Sequence, residues 1–472
     1  MSVDFRSKEG KEYLLNKSKG FCILPWLHLY VEPNGDVFPC CTATPLWGEP
    51  NSPDFASSDI KDKTITEALN SPSFNKLRLD MLKGDKLPGT CIRCERFEKV
   101  GAGSYRDFAR RRFSKYIDVI DETNEDGSLD EYKLRFLNIR FSNHCNMSCL
   151  TCGPSWSTAW YKNAWWLQKE GKPNLMQLED NIKGDFWDQI KPQLHNVSRI
   201  YFTGGEPMMM PDHWKILLYL IEKGLQDKVE LHYNTNLSQL KFGKYDVLDL
   251  WSKFKHVDLG ISIDGVEKDA ELIRWGTKWE EIKQNVHKIR KLPNVRYQID
   301  SVISILNIYH LPKMEKYLLD EGMIDYNTVT VCNIAHEPLP ICITSIPKEH
   351  KIIIEKFLLD QLKTLPAPLR LKHRHNGWLQ VIEFMNNADT YQQPHAGSFS
   401  EFINGTVRFA KDEILEHIPL VKWIYEEDQP SDRWFKDGRD YIGTDENVHP
   451  IAELSVPDAE RQWTPKYPHR IK

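Results

Sequence analysis

The stretch Leu134-Arg135-Phe136-Leu137-Asn138-Ile139-Arg140-Phe141-Ser142-Asn143-His144-Cys145-Asn146-Met147-Ser148-Cys149-Leu150-Thr151-Cys152 decides the reading of this chain. Its first eight residues form a strand-like run. The residues after it place three cysteines at the spacing C-x3-C-x2-C on one loop. Thiolates hold iron–sulfur clusters, normally four of them, one per iron. Three on one loop can hold three irons of a cubane and leave the fourth open, as a catalytic metal site requires. A structural zinc site is the alternative at this point. It wants a fourth ligand, and His144 is badly placed to share a tetrahedron with Cys145.

Working outward, strand-like runs recur at Leu134–Phe141, Ser198–Phe202, Val229–Tyr233, Val257–Ile263, Arg296–Ile305 and Thr328–Val331. Helical patterns fall among them, at Trp156–Lys169, Ile182–Leu194, Trp214–Gly224, Tyr245–Phe254, Glu280–Leu292 and Leu311–Glu321. Strand–helix alternation argues for parallel strands joined by crossover helices. Six units are fewer than the eight of a closed barrel, so the fold class is α/β with a partial barrel, and its site is expected at the C-terminal ends of the strands. Upstream, residues 27–39 read as a hairpin turning at Pro33-Asn34-Gly35-Asp36. Residues 64–83 read as a helix interrupted at Ser71-Pro72. The segment from Gly101 to Gly127, with Arg110-Arg111-Arg112, reads as a polar helix and then a loop, the arginines on a solvated face. The chain from about 345 to 426 looks helical, and the last fifty residues look loop-rich.

Composition narrows the class. The 472 residues are 40% hydrophobic and 27% charged, which excludes a disordered chain and a small disulfide scaffold. No apolar run approaches a membrane span and no signal peptide opens the chain, so a cytoplasmic protein is expected. With 62 Lys+Arg against 67 Asp+Glu, net charge −5, neither nucleic acid nor a membrane is an expected partner. Ten cysteines in a reducing compartment point to metal or redox chemistry rather than disulfides.

A second motif follows the second strand, Thr203-Gly204-Gly205-Glu206-Pro207, where paired glycines let backbone approach a ligand. By itself this is also a tight turn. Together, the cysteine trio after the first strand and this turn after the second resemble the radical S-adenosylmethionine superfamily, over about residues 133–335. The resemblance implies that Cys145, Cys149 and Cys152 bind a 4Fe–4S cluster whose open iron chelates S-adenosylmethionine. It implies that Gly204, Gly205, Glu206 and Pro207 lie along the methionine amino group, and that Ser262-Ile263-Asp264-Gly265 is the ribose-side stretch, with Ser262 and Asp264 as candidate contacts. Asn234 and Asn236, ending the third strand, and Val302, toward the adenine, complete the implied set. The alternative for Ser262 and the two asparagines is turn chemistry at strand ends. The implied chemistry is cleavage to methionine and a 5′-deoxyadenosyl radical, then hydrogen abstraction from a substrate. The protein orients the cofactor and excludes competing reactions.

The N-terminal region holds Cys22, Cys40, Cys41, Cys91 and Cys94. Four thiolates suit a fully ligated site, iron–sulfur or zinc. Pro25-Trp26, the run Pro33 to Cys41 and Leu87-Pro88 through Cys94 resemble the accessory iron–sulfur domains called twitch and SPASM, and with four suitably placed cysteines the one-cluster twitch type fits better than the two-cluster SPASM type. The resemblance implies a second, auxiliary 4Fe–4S cluster on Cys22, Cys40, Cys91 and Cys94, with Cys40 and Cys41 interchangeable. Here this domain precedes the barrel, whereas the common order is the reverse. The expected division is residues 1–100 for the auxiliary domain, 101–132 for a linker, 133–335 for the barrel, and 336–472 for a mostly helical extension.

Other features carry bland readings. Cys332 and Cys342 are read as buried structural cysteines. Trp156 and Trp160 are read as sharing a helix face over the barrel, with Trp165 and Trp166 nearby, and Met208-Met209-Met210 as an apolar helix start. His310, His336, His373 and His375 are acid–base candidates with nothing to choose among them. No catalytic residue beyond the cluster is singled out. The expected function is an enzyme that abstracts hydrogen from a peptide or protein side chain, favoured over a sugar or nucleotide, with a reducing donor such as flavodoxin or ferredoxin. The rival is a non-catalytic electron-transfer or partner-binding protein whose N-terminal cysteines form a zinc module.

Overall fold

The computed structural model describes residues 4–43, 55, 57–99, 103–164, 175–328, 330–336, 338–368, 370, 377–387 and 399–427. Gly101, Trp165, Trp166, Lys169, Glu337, His373, His375 and the tail beyond Glu427 lie outside them. The N-terminal hairpin forms as expected, with β1 (His28–Val31) antiparallel to β2 (Asp36–Phe38), and β2 pairs in turn with β3 (Ser58–Asp59). Gly35 takes a φ of +85° at the turn, where a Cβ would strike the Asn181 carbonyl. The helical stretch 64–83 breaks at its proline. Ile65–Leu69 opens with a Thr64/Glu67 capping box, and Pro72–Lys83 begins on Pro72 and stops at Gly84, φ +74°.

The barrel strands are β4 (Phe136–Ile139), β5 (Arg199–Phe202) and β6 (Glu230–Thr235). A small hairpin, β7 (Lys241–Phe242) and β8 (Tyr245–Asp246), follows, and then come β9 (Val257–Ser262), β10 (Val295–Ile303) and β11 (Thr330–Ile334). Among the described residues one nine-stranded sheet runs β11-β10-β9-β6-β5-β4-β1-β2-β3. The six strands from β4 to β11 are parallel and in chain order, as a partial barrel requires. The hairpin does not stand apart: β1 pairs parallel with β4 over four residues, so the N-terminal region prolongs the barrel sheet past its first strand.

Three helix expectations are corrected. Residues 156–164 hold no α-helix but a 3₁₀ turn at Thr158–Lys162. Trp156 is 37% exposed while Trp160 is fully buried, and the two do not share a packed face. Tyr245 begins in β8, and the helix there is only Val247–Trp251. After Tyr105–Phe113 the chain continues as 3₁₀ helix, Ser114–Glu122, where a loop was expected. The helix Glu267–Ile273 had no counterpart in the sequence reading.

Strand parity separates two environments. Leu231, Tyr233 and Thr235 are buried against the helices, and His213 on the helix Pro211–Glu222 meets the Tyr233 hydroxyl at 2.9 Å. The alternate residues Glu230, His232 and Asn234 face the other way, into the barrel, and are half-buried. The inward face is therefore polar. After β11 the described residues are mostly helical, from Lys348–Thr364 through Pro419–Glu427. Phe409, between them, packs edge-on to Trp160 at 5.6 Å and Trp275 at 5.3 Å, bringing the extension against the cysteine loop. No described helix is long and apolar enough to cross a membrane.

Candidate functional site

The cysteine loop leaves the C-terminal end of β4 and is tied down at both ends. Ser148 and Leu150 donate backbone N–H groups to Trp275 and Ile273 carbonyls at 2.8 Å each. The Ser157 hydroxyl donates to the Met147 carbonyl at 2.6 Å, and Thr158 N–H to that of Asn143 at 3.1 Å. Cys149 is buried, and Cys145 and Cys152 are half-buried. Burial pushes the Cys152 thiol up to about 12, with Cys145 adding to it, and raises Cys149. It raises Cys145 as well, where the Glu206 charge adds to the effect. Arg274 opposes the shift at all three, so one guanidinium faces the whole trio. Three clustered thiols whose ionisation burial disfavours and a bound cation would favour form a donor set suited to an iron–sulfur cluster.

The glycine turn closes against this loop. Gly205 and Glu206 donate backbone N–H groups to the Ser142 and His144 carbonyls, at 3.1 and 2.8 Å. A Cβ on Gly205 would lie 2.1 Å from the His144 oxygen, and Gly204 has φ +119°, so both positions require glycine. The Glu206 side chain turns inward. It accepts the Thr235 hydroxyl at 2.7 Å and the Asn236 N–H at 2.8 Å, and burial lifts its carboxyl to about 7. Pro207 and Met208, which follow the two glycines, are buried.

The remaining sequence candidates gather at the same strand ends. The Asn236 amide donates to Asn146 at 3.0 Å and stands 3.9 Å from the Cys145 sulfur. Asn234 accepts from the Tyr201 hydroxyl at 2.7 Å and donates to Asp300 at 3.1 Å. Ser262 is half-buried on the inward parity of β9, opposite Asp300 in register. Asp264 is fully buried and committed to the protein: it pairs with Arg274 at 2.9 Å and accepts the Val302 N–H at 2.7 Å. Val302 is thus held by its backbone, and Asn307 donates to its carbonyl at 2.8 Å.

In the N-terminal region, Cys22, Cys40, Cys91 and Cys94 line one cavity, together with Leu24, Thr42, Leu87, Tyr105 and Arg106. Cys41 is not part of that lining; burial raises its thiol, the Arg140 charge and a hydrogen bond with the Tyr105 hydroxyl oppose that, and Cys94 adds to it. Burial pushes Cys22 up to about 12, while Arg106 pulls it back. Among the described residues no three His, Cys, Asp or Glu side chains close on a single metal ion, and the four cysteines stand around a space instead.

Cys332 and Cys342 are buried and belong to neither group. Glu315, on the helix Leu311–Asp320, is the charge beside Cys332, and the Cys342 thiol donates to Pro338 at 3.4 Å. Met208 and Met210 are core residues. His310 lies 3.2 Å from Asp269, and His336 packs on Phe384. Sequence reading missed Arg140, Tyr201, Arg274 and Asp300. The inward parity of Tyr201 and Asp300 is a period-two signal that could have found them. Arg274 has no local signal.

Residues 139–312 match the Radical SAM superfamily, and residues 22–95 match SPASM, an iron–sulfur cluster-binding domain. No curated protein matches the chain. Among solved structures, native anSMEcpe with bound AdoMet is similar at 18% identity, covering 57% of this chain and 66% of that one, TM-score 0.34. Streptococcus suis SuiB bound to S-adenosylmethionine is similar at 12% identity, covering 61% and 63%, TM-score 0.33. A second SuiB structure aligns over 81% and 79% at 13% identity, TM-score 0.34. The chain spans about two thirds of the length of the first of these. The matches lie on the two cysteine groups and on the parallel sheet that follows the second, so this enzyme carries a Radical SAM superfamily domain over residues 139–312 and an iron–sulfur cluster-binding SPASM domain N-terminal to it, and the cofactors these domains imply are a 4Fe–4S cluster, S-adenosylmethionine and an auxiliary iron–sulfur cluster.

Proposed function

We propose that Cys145, Cys149 and Cys152 hold the catalytic cluster, that Cys22, Cys40, Cys91 and Cys94 hold the auxiliary one, and that the enzyme abstracts hydrogen from a substrate in the barrel interior. When bound, the catalytic cluster supplies the electron that cleaves S-adenosylmethionine to methionine and the 5′-deoxyadenosyl radical. The observation that carries the reading is the cysteine loop hydrogen-bonded at Ser142 and His144 to the Gly204-Gly205 turn, which sets bare backbone beside three clustered thiols. Around that point Asn236 braces the loop, Ser262 offers a hydroxyl for the ribose, and Asp264 fixes Val302 toward the adenine. Cys40, not Cys41, is the auxiliary ligand, because it alone of the two lines the cavity. Tyr201, Asn234 and Asp300 form the polar wall a substrate would meet.

A peptide or protein side chain is the substrate class we favour. The helical extension, which packs on Trp160 and Trp275 and on β11, supports this by widening the surface beside the cysteine loop. Reduced flavodoxin or ferredoxin suits the electron supply. Anaerobic reconstitution tests the reading. Two cubanes give about eight irons per chain, and one cubane with zinc gives about four irons and one zinc. Dithionite and S-adenosylmethionine then yield 5′-deoxyadenosine. A fully iron-loaded sample that makes none overturns the reading.

A further inference from the structure

Asp300 stands on the inward face of β10, opposite Ser262 of β9, and is 8% exposed. Its side chain reaches across β9. A Cβ on Gly260 would lie 2.1 Å from Asp300 Oδ2, and Asn234 of β6, in register with Gly260, donates its amide to that oxygen at 3.1 Å. Glycine on the intervening strand leaves the room that the carboxylate fills. Gln298, two residues earlier on the same face, donates to Oδ1 at 2.8 Å. Among the described residues, two neutral amides are thus the side-chain donors to a carboxylate that has about four acceptor sites.

The other charges of the barrel are paired. Glu230 meets Arg199 at 3.1 Å, and Asp258 meets Arg296 at 2.9 Å. Arg140 pairs with Glu32 at 3.3 Å, and Arg274 with Asp264 at 2.9 Å. Among the described residues no Lys, Arg or His makes an ion pair with Asp300. Burial lifts its carboxyl above the ordinary value, Gln298 and Asn234 oppose that, and the Asp264 charge adds to it. A buried carboxylate without a cation is costly, and a cation arriving with a ligand relieves that cost. The same face holds a second unmet group. Asn138 of β4 is completely buried, in register with Tyr201, and neither its Oδ1 nor its Nδ2 has a hydrogen-bond partner. Buried polar groups are otherwise almost always bonded, so this amide marks a place for a polar ligand. Tyr201 donates to Asn234 at 2.7 Å, which makes Asn138, Tyr201, Asn234 and Asp300 one wall, with an unbonded amide at one end and an unpaired anion at the other.

We propose that Asp300 is a specificity-determining residue that binds a positively charged side chain, lysine or arginine, of a peptide substrate in the barrel interior. The proposal rests on the reading that this interior is the substrate site, and it deepens that reading: the carboxylate selects the charge, and Asn138 takes an amide of the same peptide.

The test uses the reconstituted, iron-loaded full chain with S-adenosylmethionine under anaerobic conditions. The probe is an equimolar pool of N-acetylated hexapeptide amides. Lysine, arginine, norleucine, citrulline or glutamate occupies one central position, and the flanks are randomised over uncharged residues. Ultrafiltration followed by mass spectrometry reads which members the protein retains. Wild type is expected to enrich the lysine or arginine members about tenfold over norleucine and citrulline, the size of one charge-assisted pair. Asp300→Asn keeps the shape and is expected to lose this enrichment, while Asp300→Glu keeps the charge and the preference. Asn138→Ala is expected to lower retention of all members alike. Iron content and thermal unfolding check the fold of each variant, and equilibrium dialysis its affinity for S-adenosylmethionine. A wild type that retains neutral or acidic members as well as basic ones, or retains none, overturns the proposal. So does an iron-loaded Asp300→Asn that keeps the preference, and one that loses S-adenosylmethionine with the preference intact assigns the carboxylate to the cofactor instead. If Asp300→Asn does not hold iron, the wild-type preference and Asp300→Glu decide. A fully iron-loaded wild type that makes no 5′-deoxyadenosine overturns the functional reading itself, a result distinct from an active enzyme without a charge preference.

Discussion

Glu206 accepts the backbone N–H of Asn236 at 2.8 Å, joining the turn after β5 to the end of β6. This bond lies within the strand-end region of the site, and the carboxylate that makes it is buried and lifted from its ordinary 4.5 to about 7. A carboxyl raised on folding keeps its proton in the folded chain between about pH 4.5 and 7, where the unfolded chain releases it. Its contribution to stability is therefore greatest below about pH 4.5 and declines as pH rises to about 7. Glu206→Gln removes that titration. The Gln variant should gain stability relative to wild type between about pH 5 and pH 8. Anaerobic denaturant unfolding at the two pH values checks this, and a difference that does not change with pH counts against it.

Gly205 has no room for a methyl group. A Cβ there would sit 2.1 Å from the His144 carbonyl oxygen, which is backbone and part of the cysteine loop. Gly205→Ala should push the loop and the turn apart at a cost of about 1–3 kcal/mol. It should also weaken S-adenosylmethionine binding, measured by equilibrium dialysis on iron-loaded protein. Undiminished binding would show that the turn does not shape the cofactor site.

Arg274 and Asp264 form an ion pair whose carboxylate is fully buried. Arg274→Ala leaves that carboxylate without a cation, and the loss should be about 3–5 kcal/mol. Pairing Arg274→Met with Asp264→Asn should cost less than Arg274→Ala, because no uncompensated charge remains and the Asn oxygen can still accept from Val302. Urea unfolding of the variants gives the comparison.

The two cysteine groups separate by substitution. Cys145→Ala should abolish S-adenosylmethionine cleavage. Cys91→Ala should lose about four irons while uncoupled cleavage continues. Cleavage surviving in Cys145→Ala would refute the assignment of the catalytic cluster.

Local chain geometry made much of this readable in advance. Three cysteines seven residues apart from first to last must share a loop, and two glycines at a strand end mark a turn under close approach. The six strands announced themselves by apolar runs between helical periods, and the Asn34-Gly35 turn by its chemistry. The helix errors have a physical source. Trp156 to Lys162 follows a loop pinned through Met147, Asn143 and Cys145, and those tertiary bonds favour a 3₁₀ turn over the helix its apolar spacing suggests. Arg78, completely buried and donating to the carbonyls of Pro25, Leu69 and Gly127, is a structural tie that no sequence pattern marked.

Local pattern was enough for the strand–helix alternation, the cysteine spacing and the glycine turn, because each is carried by residues within a few positions of one another. The fold, and not the local pattern, decided which of Cys40 and Cys41 lines the cavity, that β1 adds to β4, that Glu206 and Asp264 commit their carboxylates to the protein, and that Arg140 pairs with Glu32 of the hairpin. Those outcomes depend on partners far apart in the chain, as Glu32 and Arg140 are, and no local period encodes which distant side chain will share a desolvated site. The pairing is set when the barrel closes around it and a buried charge must find its complement.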